Sequence, residues 1–215
     1  MKLPAKCSLT MMIAAIVATV LALVSVIGGF IGIIGSISIL SSPNGLFAFI
    51  QMIFELLFAS LGMILLAAAL WVNTFIPLRF LLPIGPGLML LGQLGDIGTF
   101  FTLLKFGDIG NLLGALATLL GFLSTAALVA ITVFYNIPAT KKLLESTIML
   151  PGGFYLGSFL LGTLSEILKL QQNMGNLDWL LGYLIGLLVS LIPLALTVFL
   201  YVSIGRALVK NKKFL

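Results

Sequence analysis

Histidine is absent from these 215 residues, cysteine occurs once, and charged side chains make up 8% of the chain. Without histidine there is no imidazole base, no histidine metal ligand and no ordinary haem axial ligand. Cys7, alone, cannot close an internal disulfide. Gly157-Ser158 offers a hydroxyl but no base of the usual kind to activate it. An aspartyl pair for intramembrane proteolysis would need Asp96 and Asp108 buried together, and their positions suit wet helix ends instead. P-loop, dinucleotide fingerprint and Cys/His cluster are all missing. These absences predict a protein that is not an enzyme and that uses no cofactor or metal. The net charge of +5 comes from basic residues scattered among helix ends, which does not suit nucleic acid.

The scarcity of charge also bears on the solvent. Soluble domains carry roughly 25% charged residues. This chain is 61% hydrophobic with a mean hydropathy of +1.28. A soluble fold of this size could not hide so much apolar surface, so the main solvent must be lipid. Long unbroken apolar runs exclude the alternating pattern of a membrane barrel. The uncharged run from Cys7 to Phe54 is also too long for a signal-peptide core. The expected fold is an all-α integral membrane protein, one domain over residues 1–215, with six transmembrane helices and lipid as the first partner.

The helices are expected at about 9–40, 46–72, 81–104, 112–135, 147–170 and 178–205. Helix 1 exceeds the roughly 20 residues needed to cross and should tilt, project or kink near Gly28-Gly29. Ser41–Gly45 reads as a turn. Helix 3 opens on Pro83, Gly85, Pro86 and Gly87. Two readings of its end stand: a stop near Leu94 with Gly95–Gly110 as a loop or re-entrant segment, or a run to Leu104 before a short turn, the preferred one. Six crossings gather Lys2, Lys6, Arg79, Lys141, Lys142, Arg206, Lys210, Lys212 and Lys213 on one side, and leave Lys105 and Lys169 on the other. That bias predicts cytoplasmic N- and C-termini, in the plasma membrane.

Three stretches echo one another. Leu150–Ile167 reads LPGGFYLGSFLLGTLSEI, Leu82–Ile97 reads LPIGPGLMLLGQLGDI, and Gly28–Ile39 reads GGFIGIIGSISI. They suggest three tandem hairpins, over 9–72, 81–135 and 147–205, with Asp96 and Glu166 at equivalent heights. Gly28, Gly32 and Ser36, and likewise Gly182 and Gly186, fall at four-residue steps, the spacing that lets helices pack closely. Such faces could also receive a protein partner or a second copy.

Few residues carry chemistry. Glu55 lies nine residues into helix 2, roughly 13 Å deep at the helical rise, near the middle of the hydrocarbon. Gln51 precedes it by one turn on the same face. A carboxylate there is costly and marks a functional candidate. The breaks at Pro83, Gly85 and Gly87, and at Pro151, Gly152 and Gly153, free backbone carbonyls and are further ligand or ion candidates. Asp96, Asp108 and Glu166 are read as outer-face carboxylates.

In size, helix count and basic inner edge the chain resembles the substrate-binding subunits of energy-coupling-factor vitamin transporters. Ala14 and Ala18 supply an AxxxA spacing in helix 1 of the sort those subunits use for contact. The likeness covers architecture and one four-residue spacing, and identifies no family. Two functions remain expected: a transport or permeation component for a small molecule or ion, or a non-catalytic subunit or scaffold of a larger membrane complex.

Overall fold

The computed structural model describes residues 5–37, 40, 45–76, 78–137, 141–171 and 177–212. Among them there are only helices, turns and short links. The helices are α1 (Ala5–Gly35), α2 (Gly45–Phe75), α3 (Ile84–Gly92), α4 (Leu94–Phe106), α5 (Ile109–Asn136), α6 (Lys141–Thr147), α7 (Leu150–Gln171) and α8 (Leu177–Lys212). They give six stretches long and apolar enough to cross a membrane: Leu9–Gly35, Phe49–Phe75, Arg79–Lys105, Ile109–Asn136, Lys142–Lys169 and Leu181–Val209. The protein is therefore a multi-pass, all-helical membrane protein. Several expected turns, at 41–44, Pro77, Pro138 and 172–176, lie outside the described residues.

Local chemistry explains most boundaries. Helix 1 ends at Gly35, earlier than expected, and a turn follows at Ser36. Gly107 takes a left-handed φ of 68° behind α4, a conformation glycine reaches without a Cβ penalty. Asp108 then caps α5, accepting from the Asn111 N–H at 2.8 Å. The stretch 95–110 is thus a helix and a tight turn, not a re-entrant loop. Proline sits where helices begin: Pro83 precedes α3, and Pro151 occupies the first turn of α7, where a missing N–H costs little. The fifth span differs from expectation, because the short helix α6 occupies what read as a linker. Its Leu144 is wholly buried.

Neighbouring spans pack in chain order, and α8 closes the circuit against α1. The apolar core does not fill this ring evenly. It comprises Met11, Ala14, Ala15, Ala18, Leu21 and Ala22 of α1, Met63–Leu70 positions of α2, Leu128 and Ile131 of α5, and Leu200, Ile204 and Leu208 of α8. All of these lie in the half of the bundle that carries both chain ends. The α1 set follows the i, i+3, i+4, i+7 spacing of one helix face. Trp71 locks α2 to α1 there, its indole N–H donating to Thr19 Oγ1 at 3.0 Å. In the far half the helices are looser. Leu181, Leu184, Ile185, Leu188, Val189 and Ile192 of α8 are all exposed, and burial resumes only after Pro193. Lipid tails are as apolar as leucine, so such faces carry no penalty in a bilayer.

The expected glycine stripes are not the packing faces within this chain. A Cβ at Gly28, Gly182 or Gly186 would meet nothing within 4 Å, and at Gly32 only Leu56 at 3.9 Å. The close approaches lie elsewhere. A Cβ on Gly85 would stand 2.6 Å from both Gly62 O and Leu66 N, and one on Gly62 would stand 2.7 Å from Gly85 O. α2 and α3 therefore touch backbone to backbone. Ala14 and Ala18 are 0% exposed, so the AxxxA spacing serves the internal core and presents nothing to a partner.

α5 and α7 are joined by a ladder of serines. Ser165 Oγ donates to Gly110 O, Ser158 Oγ to Ala117 O, and Ser124 Oγ to Pro151 O, each at 2.7 Å. Each rung is seven residues further along α5 and seven back along α7, about 10 Å apart at the helical rise. A seven-residue step keeps the same two faces apposed over the whole length. Ser158→Ala and Ser165→Ala should each cost about 0.6 kcal/mol, the mean for such bonds in membrane helices. The acceptor carbonyls keep their helical partners, and well-separated rungs should add. Unfolding of the detergent-solubilised single and double variants checks both points.

Asp96 is half-buried within α4. Glu166 is exposed and paired with Lys169 at 3.1 Å.

Candidate functional site

The third span is broken in its middle. α3 stops at Gly92, Gln93 leaves the helical range with φ −80° and ψ 1°, and α4 resumes at Leu94. The break divides the packing. α3 runs along α2, held by the Gly62–Gly85 contact and by Gly92, where a Cβ would lie 2.9 Å from Phe58 Cβ and 3.2 Å from Glu55 O. Beyond Gln93 the chain departs from α2, and α4 packs against α5. A groove opens between the first half of α2 and α4.

Its volume is about 340 Å³, and it is lined by Gln51, Gly95, Gly98, Thr99, Thr102 and Leu103. Glu55 lies behind this lining, against Gln51 and Gly95. Gln51 Nε2 donates to Glu55 Oε1 at 2.9 Å, one helical turn apart. Both side chains press on the backbone of α4 at Gly95. A Cβ there would collide with Glu55 Oε1 and lie 2.6 Å from Gln51 Nε2. Gly95 thus makes the seat for the carboxylate. Asp96, the next residue along α4, is half-buried. Gln93 Oε1 is buried and receives no hydrogen bond. Thr102 Oγ1 donates to Gly98 O at 2.9 Å and keeps its acceptor capacity.

The sequence candidates separate in space. Glu55 and Gln51 come together, as their spacing implies. Glu55 lies within the span Phe49–Phe75, ten residues into α2. Asp96 lies nine residues from the end of the span Arg79–Lys105, Glu166 three residues from the end of Lys142–Lys169, and Asp108 just ahead of Ile109–Asn136. Asp108 is exposed and occupied by Asn111, whose backbone and side-chain N–H groups both bond it. The Pro-Gly candidates lie away from the groove. Gly85 is packed on Gly62, and Gly152 lies 3.7 Å from Val198 and Val202 by its would-be Cβ. Gly87 and Gly153 have open space around them. Their helical bonds are intact, with Gly87 N–H on Pro83 O and Gly153 N–H on Met149 O, both at 2.9 Å. Those Pro-Gly stretches lie where α3 and α7 begin.

Gln93, Gly95, Thr99 and Thr102 were not legible as site residues. Gln93 was visible only as a polar residue inside LGQLGDI, and Gly95 only as one glycine among 23. Among the described residues no set of three or more Cys, Asp or Glu side chains could hold a metal ion. No family model, no curated protein and no solved structure matches this chain.

Proposed function

We propose that the protein is a transport or permeation component for a small cationic solute or ion, and that the α2–α4 groove is the place where the solute is held. The observation that supports this is the Glu55–Gln51 pair seated on Gly95, with Asp96 next in the chain, beside a groove where Gln51, Thr99 and Thr102 interrupt an otherwise apolar lining within membrane-spanning segments. Ionisable groups are costly in hydrocarbon, and they persist where they face a wet path or a ligand. The helix break at Gln93 separates a fixed half, α3 on α2, from a half that leans on α5. A path between α2 and α4 can then change width without disturbing the core at the chain ends.

Gly98 gives a direct test. It lines the groove, and a Cβ there meets nothing within 4 Å. Gly98→Trp should fold normally, fill the groove and stop flux in proteoliposomes offered a panel of inorganic and small organic cations. Unchanged flux in a folded variant overturns the groove as the path.

We place both termini in the cytoplasm, on the strength of the nine-to-two distribution of basic residues. Cys7, the lone thiol, should react with an impermeant maleimide only after the membrane is opened. Labelling in intact cells would reverse the orientation.

A second reading, a non-catalytic subunit of a larger complex in the plasma membrane, draws on the open glycine faces. Gly28, Gly182 and Gly186 are exposed and unpartnered within the chain, so another helix could approach there. Purification in mild detergent separates the readings: a stoichiometric partner protein favours the subunit.

A further inference from the structure

We propose that Glu55 and Asp96, with the amide oxygens of Gln51 and Gln93, form an exchangeable site for one monovalent cation, an alkali metal ion or a proton. The proposal rests on the α2–α4 groove being the functional site and specifies what occupies it. Three features, in the groove lining and immediately behind it, point the same way.

The first is charge. Glu55 rests on Gly95, the chain neighbour of Asp96, so two carboxylates lie on adjoining backbone within membrane spans, and among the described residues the one ion pair with an acid is the remote Lys169–Glu166. Lys105, in the last turn of α4, is exposed and makes no ion pair within the described residues. Two bare negative charges in a low-dielectric setting are strongly disfavoured, and one added positive charge removes most of that cost. The second is an unmet acceptor. Gln93 Oε1 is buried without a donor, and Gln93 precedes Asp96 by three residues, the spacing that places side chains side by side on a helical turn. Asp96 N–H bonds Gln93 O at 3.0 Å, which fixes that turn. A lone amide oxygen beside a carboxylate lacks a proton or a cation to share. The third is ligand type. The polar groups at the groove are carboxylate, amide and hydroxyl oxygens, the donors preferred by hard cations, with no thiolate or imidazole to attract a softer metal. The groove of about 340 Å³ leaves room for water to complete the coordination shell.

Gly95 sets the geometry. It lets the Glu55 carboxylate lie against the α4 backbone at the residue before Asp96, while Gln51 Nε2 holds one carboxylate oxygen and leaves the other free. The site thus spans the groove from α2 to α4, and occupancy should draw the two helices together.

The test uses the full chain purified in mild detergent. Its thermal midpoint is read against NaCl, KCl and choline chloride at constant ionic strength and near-neutral pH. A second series varies pH from mildly acid to mildly alkaline without alkali ions. The proposal expects a saturable rise with sodium or potassium but not choline, or, if the proton is the occupant, a pH-dependent midpoint without an alkali effect. Either response should disappear in Glu55→Gln/Asp96→Asn. Gly95→Ala keeps both charges but pushes the carboxylate from its seat, and should weaken the response several-fold. Should the double variant fail to fold, Gly95→Ala decides the question. Wild type and variants responding alike in both series would overturn the site. A cation response without flux would sustain the site and overturn the transport reading. Flux that Gly98→Trp blocks but the double variant leaves intact would do the reverse.

Discussion

Gly85→Val should be the most damaging single change to the fold. The branched side chain would be placed where even a Cβ stands 2.6 Å from Gly62 O and Leu66 N. Those are backbone atoms of a packed helix and cannot step aside as a side-chain tip can. Overpacking of this kind costs about 1–3 kcal/mol and sometimes more. Here the strain falls on the contact that holds α3 to α2, beside the wholly buried Leu66. A steep loss of folded protein in detergent is expected, read as a lowered thermal midpoint or as aggregation on extraction. Gly87→Ala is the control. Its Cβ meets nothing, and within α3 alanine should gain up to about 1 kcal/mol of helix propensity. Equal behaviour of the two variants would mean that α2 and α3 do not approach as closely as described.

Glu55→Gln should have the largest effect on activity. Glutamine has nearly the same shape, can still bond Gln51 and fits the seat at Gly95, so folding and membrane insertion should be kept. The negative charge is gone, and with it the attraction for a cation. Flux in proteoliposomes should be abolished. If the protein is instead a scaffold, glutamine should be tolerated and Glu55→Leu should be the harmful change. That substitution removes the partner of the half-buried Gln51 Nε2, and losing the hydrogen bond costs about 1 kcal/mol. The comparison of the two variants, in flux and in assembly, therefore discriminates between the functions. Full flux with Glu55→Gln would exclude the carboxylate from transport.

What the sequence determined by itself is the class of molecule. Apolar runs of more than 20 residues, few charges and six separated spans follow from composition and hydropathy, because hydrocarbon admits a helix of that length and little else. Helix ends were legible where a local device sets them, as with Gly107 and Asp108 between α4 and α5. Glu55 with Gln51 was legible too, since a four-residue spacing puts both on one face. Only the tertiary structure decided which small residues meet another helix. A glycine at a close contact and a glycine facing lipid look alike in sequence, so Gly28 and Gly182 read as packing positions while Gly62, Gly85 and Gly95 did not. The serine ladder was hidden for a related reason: its seven-residue period is split between α5 and α7 and becomes visible only when their register is known. The groove depended on the break at Gln93, which no proline or capping residue announces. It exists because α3 is bound to α2 by glycine contacts while α4 packs on α5, and that competition between two neighbours is a property of the assembled bundle.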